Sequence, residues 1–155
     1  MTWYADLGPI DCFPFSDARS LRAVGWLDAL HTFETGPISS EDFERLCRLL
    51  VSPWQPVVAA GVHGCELCRH TSGPSLLRYR DVEVPLGVAN VFVPAEGVIY
   101  VAPSLIVHYI DAHQYRPPDE LLVAVRACPP TTSMEYRRAL LAAGGRGLLH
   151  SEGRS

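Results

Sequence analysis

The sequence predicts an α+β domain, with a mostly antiparallel sheet and helices packed mainly on one side. Three observations lead there. Apolar runs of strand length cluster in the middle of the chain, helical spacing takes over after Pro103, and Pro94-Ala95-Glu96-Gly97 reads as a hairpin turn between two of the runs.

Taken in order, the first twenty residues mix Pro, Asp and aromatic residues without a steady period and read as an irregular lead-in anchored by Tyr4, Phe13 and Phe15. Leu21 to Leu27 suits a strand. Ser40 can cap a helix over 40–51, where Phe43, Leu46, Leu49 and Leu50 recur at helical spacing and Glu41, Asp42 and Glu44 favour its positive amino-terminal end. Gln55 to Val62 reads as a buried strand, followed by strands over Leu76 to Val84, Val88 to Val93 and Val98 to Ala102. Beyond Pro103, the repeat Leu105, Ile106, Tyr109, Ile110 gives a helix to about His113. A second helix runs from Pro117-Pro118 through Val125 to the stop at Pro129-Pro130, and a third covers Ser133 to Ala143. The expected domain is residues 1–146, with a frayed tail over 147–155.

Composition narrows the function. The chain has 155 residues, 48% of them apolar and 19% charged, a proportion suited to one domain with its own core. Its apolar runs are too short for a membrane span, and its amino terminus does not resemble a secretory leader, so the cytoplasm is the expected compartment. A net charge of −4 with dispersed Arg gives no attraction for a polyanion, and nucleic acid is not an expected partner. All thirteen basic residues are Arg, which removes Schiff-base chemistry and P-loop phosphate binding, both of which need Lys. Five cysteines in a reducing compartment point to structural, metal-binding or reactive thiols and not to a disulfide framework.

The chemistry-bearing segment is Gly61-Val62-His63-Gly64-Cys65-Glu66-Leu67-Cys68-Arg69-His70. Two thiolates two residues apart can grip one ion while backbone amides point at the sulfurs, and imidazoles nearby can complete a tetrahedral shell. The ligand candidates are His63, Cys65, Cys68 and His70, and zinc is the expected ion. Four protein ligands would close the site, whereas three plus water would leave a catalytic position. In that second case Glu66 or His108 could serve as the base of a metal-dependent hydrolase.

His108, Tyr109, Asp111 and His113 form a further group on the expected helix, with His108 and Asp111 one turn apart. His108 could instead complete the metal shell, or it could simply pack. Two other readings stay open: a thiol redox site at Cys65 and Cys68, and a protein-interaction module that uses a metal only to fix a loop. Small-molecule and protein partners and the oligomeric state are not legible in the sequence.

His63-Gly64-Cys65-Glu66-Leu67-Cys68, Asn90-Val91-Phe92-Val93-Pro94 and His108-Tyr109-Ile110-Asp111-Ala112-His113-Gln114-Tyr115-Arg116-Pro117-Pro118 together resemble a family of small uncharacterised bacterial proteins over about Ala5 to Gly145. That resemblance implies a shared fold and carries no activity.

Overall fold

A computed structural model describes residues 2–13, 18–56 and 61–151 of the chain. Its centre is a three-stranded sheet ordered β1 (Leu21–Ala23), β5 (Val98–Pro103), β4 (Asn90–Ala95). β4 and β5 form the hairpin expected from Pro94 to Gly97, with Val91 opposite Ala102 and Val93 opposite Tyr100, while β1 joins β5 in parallel. A separate antiparallel hairpin joins β2 (Leu76–Tyr79) to β3 (Val82–Pro85).

Side-chain alternation divides the apolar residues between two faces of the central sheet. Val91, Val93, Tyr100 and Ala102 face the larger cluster, built with α1 (Ser40–Val51), α2 (Ile106–His113) and α3 (Asp119–Ala127). Leu21, Ala23, Phe92, Ile99 and Val101 face a smaller cluster, closed by Tyr136 and Leu140 of α4 (Met134–Ala142) and Leu148 of α5 (Arg146–Ser151). Three helices thus cover one face and the two carboxy-terminal ones the other.

The outer edge of β4 is closed residue by residue. Ser104 N–H donates to Ala89 O, so at the next residue the backbone groups of Asn90 turn away from β5. The Gln55 side-chain amide meets both of them, donating to Asn90 O at 2.6 Å and accepting from its N–H. Two residues on, Phe92 O accepts from the buried Tyr136 hydroxyl at 2.5 Å, and after two more Pro94 has no N–H to offer.

Polar contacts tie distant segments together. Tyr115, fully buried, donates its hydroxyl to Asp6 Oδ2 at 2.7 Å, and Asp6 Oδ1 accepts from Gly25 N–H. Asp42 of α1, 4% exposed, receives a bidentate pair from Arg126 of α3 at 2.7 and 2.8 Å. The guanidinium holds the Asp42 carboxyl below the usual carboxylate range, against the burial that raises it.

Several element boundaries differ from the sequence expectation. The run Leu76 to Val84 is two strands, because Arg80, with φ of 53°, turns the chain between Tyr79 and Val82. Burial changes parity there, from Leu77 to Val82 and Val84. The expected strand over Gln55 to Val62 falls partly on residues 57–60, outside the described residues, and the residues described on either side of them are not in a strand. Ser39 rather than Ser40 caps α1, accepting from Asp42 N–H. The expected tail over 147–155 falls partly on residues 152–155, outside the described residues, and in its described part α5 runs to Ser151 and buries Leu148 in the smaller cluster.

Candidate metal site

Residues 61–75, joining the first half of the chain to β2, contain neither helix nor strand. The backbone pins this segment at three points: His63 N–H donates to Gly87 O at 2.8 Å, Cys65 N–H to Ser72 O at 2.6 Å, and Ser75 O accepts from Leu86 N–H at 3.0 Å. Gly87 has a left-handed φ of 76°, and a Cβ there would lie 2.0 Å from His63 O, so only glycine permits this approach. Gly73 is equally constrained. With φ of 83°, its added Cβ would lie 2.8 Å from that of Cys65 and 3.6 Å from His108 Nε2.

Against this segment stands α2, fixed by the buried Ile106, Val107 and Tyr109 and ended by Gln114 in a left-handed conformation. His108 and His113 project from it towards the cysteines. Cys68 Sγ is 3.3 Å from His108 Nε2, and His113 Nε2 lies 3.5 Å from Cys65 Sγ and 3.6 Å from Cys68 Sγ. All four atoms lie within 4.8 Å of one another. Cys65 and His108 are buried and the other two half-buried, which puts the cluster at the edge of the larger core.

Burial governs the electrostatics of the two buried members, Cys65 and His108. Burial raises the Cys65 thiol, opposed by the N–H groups of Leu67 and Cys68, which hydrogen-bond its sulfur. Those amides are the donors that Cys-x-x-Cys spacing offers a thiolate. Burial also lowers His108, followed by the neighbouring His113, which keeps the ring in the neutral form that can bind a metal.

Of the residues singled out in the sequence, the structure brings Cys65 and Cys68 together with His108 and His113, two members of the group expected on the helix after Pro103. His63 and His70 are exposed and are not members of the cluster. The hydrogen bond to Gly87 directs His63 towards the β3–β4 turn, while His70 lies in the exposed bend beyond Cys68. Glu66 is exposed in the turn between the cysteines, and Asp111 is exposed on α2. Cys47 and Cys128 lie elsewhere, and burial pushes each thiol up to about 12.

The match of His113 was hard to see. Residues 108 and 113 are five apart, about 140° around a regular helix, so they do not share a face. They meet because the cysteine segment crosses the end of α2, a relationship that helical spacing does not encode.

A family model described as a domain of unknown function (DUF7919) matches residues 2–126. The chain belongs to this family. The matched stretch of the DUF7919 domain takes in every strand, α1, α2, most of α3 and all four clustered residues, and α4 and α5 follow it. No curated protein and no solved structure gives a match. No described helix of this DUF7919 member is long and apolar enough to cross a membrane.

Proposed function

We propose that the protein binds one zinc ion through Cys65, Cys68, His108 and His113, and that the ion is structural, stapling residues 61–75 to α2. The observation that carries this reading is the set of sulfur-to-nitrogen separations. A tetrahedral zinc with sulfur at ~2.3 Å and nitrogen at ~2.05 Å has S···N edges of about 3.6 Å; three of the four such separations here are 3.3, 3.5 and 3.6 Å, and the fourth, Cys65 to His108, lies within 4.8 Å.

The chemistry of the donors agrees. Two thiolates and two neutral imidazoles cancel the charge of a divalent ion, so the loaded site can remain at the edge of an apolar core. His113 Nε2 is placed between both sulfurs, an arrangement suited to a shared central cation. A segment of this length without regular structure has few backbone bonds of its own, and a metal supplies the missing constraint.

Four protein ligands fill a tetrahedral shell and leave no position for water, which supports a structural role over hydrolysis. On this reading Glu66 is a solvated acid and His108 a ligand instead of a base. The cytoplasm suits the pair, because thiols stay reduced there.

Elemental analysis of the purified protein tests the proposal, with one equivalent of zinc as the expected result. Cobalt substitution should then give the intense ligand-field bands of a tetrahedral thiolate site. Less than a tenth of an equivalent of any transition metal after reconstitution would overturn it.

A further inference from the structure

Beside the segment that carries the cysteines, a cavity of about 650 Å³ opens against the end of the central sheet, where Asn90 and Pro103 line it. Its volume is that of a small-molecule site, for which ~300–1,000 Å³ is usual. The metal-bearing segment forms one wall through His63, two residues before Cys65 and held in place by Gly87 O.

The lining has a definite chemical character. Phe13 contributes ring surface, and Trp26, 6% exposed with its indole N–H taken by Val101 O at 2.9 Å, adds the small part of its ring that reaches the cavity. Asn90 lines the cavity as well. Its backbone groups are occupied by Gln55, while its own side-chain amide has no hydrogen-bond partner among the described residues. That amide can give one donor and one acceptor side by side, and the His63 imidazole adds a further polar contact. The described lining contains no Arg, Asp or Glu, and burial raises the Cys12 thiol, so that group is uncharged at neutral pH. Against these described residues a charged ligand would lose its hydration without a countercharge.

We infer that this cavity binds an uncharged, planar aromatic molecule carrying an amide-like edge, with the ring against Phe13 and Trp26 and the edge on Asn90 and His63. Such a ligand matches the amide of Asn90 with a complementary donor and acceptor, and it buries its ring without stranding a charge. The inference shares with the zinc reading only the placement of the 61–65 segment. Zinc ordering of that segment makes the cavity tighter in the loaded protein.

Indole-3-carboxamide and indole-3-carboxylate, alike in shape and different in charge, separate the alternatives. Titrated into the zinc-loaded full chain by NMR, the carboxamide should bind saturably with Kd at or below about 1 mM, moving the amide resonances of His63, Gly87, Val88 and Asn90. The carboxylate should bind at least ~10-fold more weakly, the equivalent of 1.4 kcal/mol. Asn90→Ala should weaken the carboxamide by a similar factor. Val88→Trp, placed at a rim residue that is 43% exposed, should block the cavity while zinc uptake stays stoichiometric.

Equal binding of the two probes, binding of neither, or shifts confined to other parts of the chain would overturn the inference. Zinc uptake without carboxamide binding defeats the cavity alone. Carboxamide binding in a chain that takes up no metal defeats the zinc reading alone.

Discussion

The sulfur of Cys68 and Nε2 of His108 stand 3.3 Å apart although forty residues separate them in the chain. Outlying effects on metal affinity are commonly 10–100-fold, so loss of a direct ligand should exceed that range. Cys68→Ser is expected to weaken zinc binding by more than ~100-fold in a competitive chelator titration, and His113→Ala to do the same. His63→Ala and His70→Ala should leave the affinity within a few-fold of wild type.

Stripping the ion should destabilise the whole domain, because Cys65 belongs to the same buried cluster as α1, β3 and α2. A hundredfold excess of zinc over its Kd corresponds to about 2.7 kcal/mol of stabilisation. For a domain of this size that is a fall of roughly 10 °C in melting temperature on chelation. Differential scanning calorimetry with and without a chelator checks it, and re-addition of zinc should restore the transition.

Gly73→Ala tests the packing behind the ligands. The new methyl would meet Cys65 Cβ at 2.8 Å on a backbone with φ of 83°. Strain of this kind costs about 1–3 kcal/mol. The variant should lose stability by that amount in urea and also show altered ligand-field bands with cobalt, since relief of the clash moves a ligand. Gly97→Ala is the comparison: its φ of 68° gives strain, but nothing lies within 4 Å of the new methyl, and the spectrum should not change.

Acid should weaken the link between α1 and α3. Because Arg126 depresses the folded-state value of Asp42, the pair stabilises the protein fully above the unfolded carboxylate value of about 3.9 and loses that contribution as pH falls through the lower folded value. Asp42→Asn should therefore reduce stability at pH 6, with the gap from wild type closing as pH falls through the depressed folded-state value. Equilibrium urea unfolding across that range measures it. The exposed side of Arg126 moderates the size of the effect.

Tyr115→Phe removes the hydroxyl that satisfies Asp6 Oδ2 and leaves a carboxylate oxygen without its donor. The expected cost is about 1–3 kcal/mol, the range for stranding a buried polar partner. Hydrogen exchange should show the loss first at Gly25, whose N–H is held by the same carboxylate.

The helices were largely legible in the sequence because their signals are local. Phe43, Leu46 and Leu50 keep one face of α1, Pro103 and Gln114 bracket α2, and the paired prolines bracket α3. The β2–β3 hairpin was not, since a two-residue turn at Arg80-Asp81 carries no glycine and the apolar run continues through it. At the metal site the cysteines announced themselves by spacing alone. The imidazoles of His108 and His113 stood only as an alternative, because proximity in sequence favoured His63 and His70, whereas the tertiary fold brought α2 against the segment. Nothing local in the sequence marks Gly87 or Gly73 as special; the close approach of His63 and Cys65 gives each its reason.

The cluster also imposes an order on how the protein is made. His113 follows Cys68 by forty-five positions, and at about 5–20 residues per second of translation the sulfur pair leaves the ribosome roughly two to nine seconds before the last imidazole. During that interval the nascent chain carries a bare dithiol. On the proposed zinc reading, an ion taken up during synthesis would first meet a two-point grip, and the shell would close only after the end of α2 has emerged.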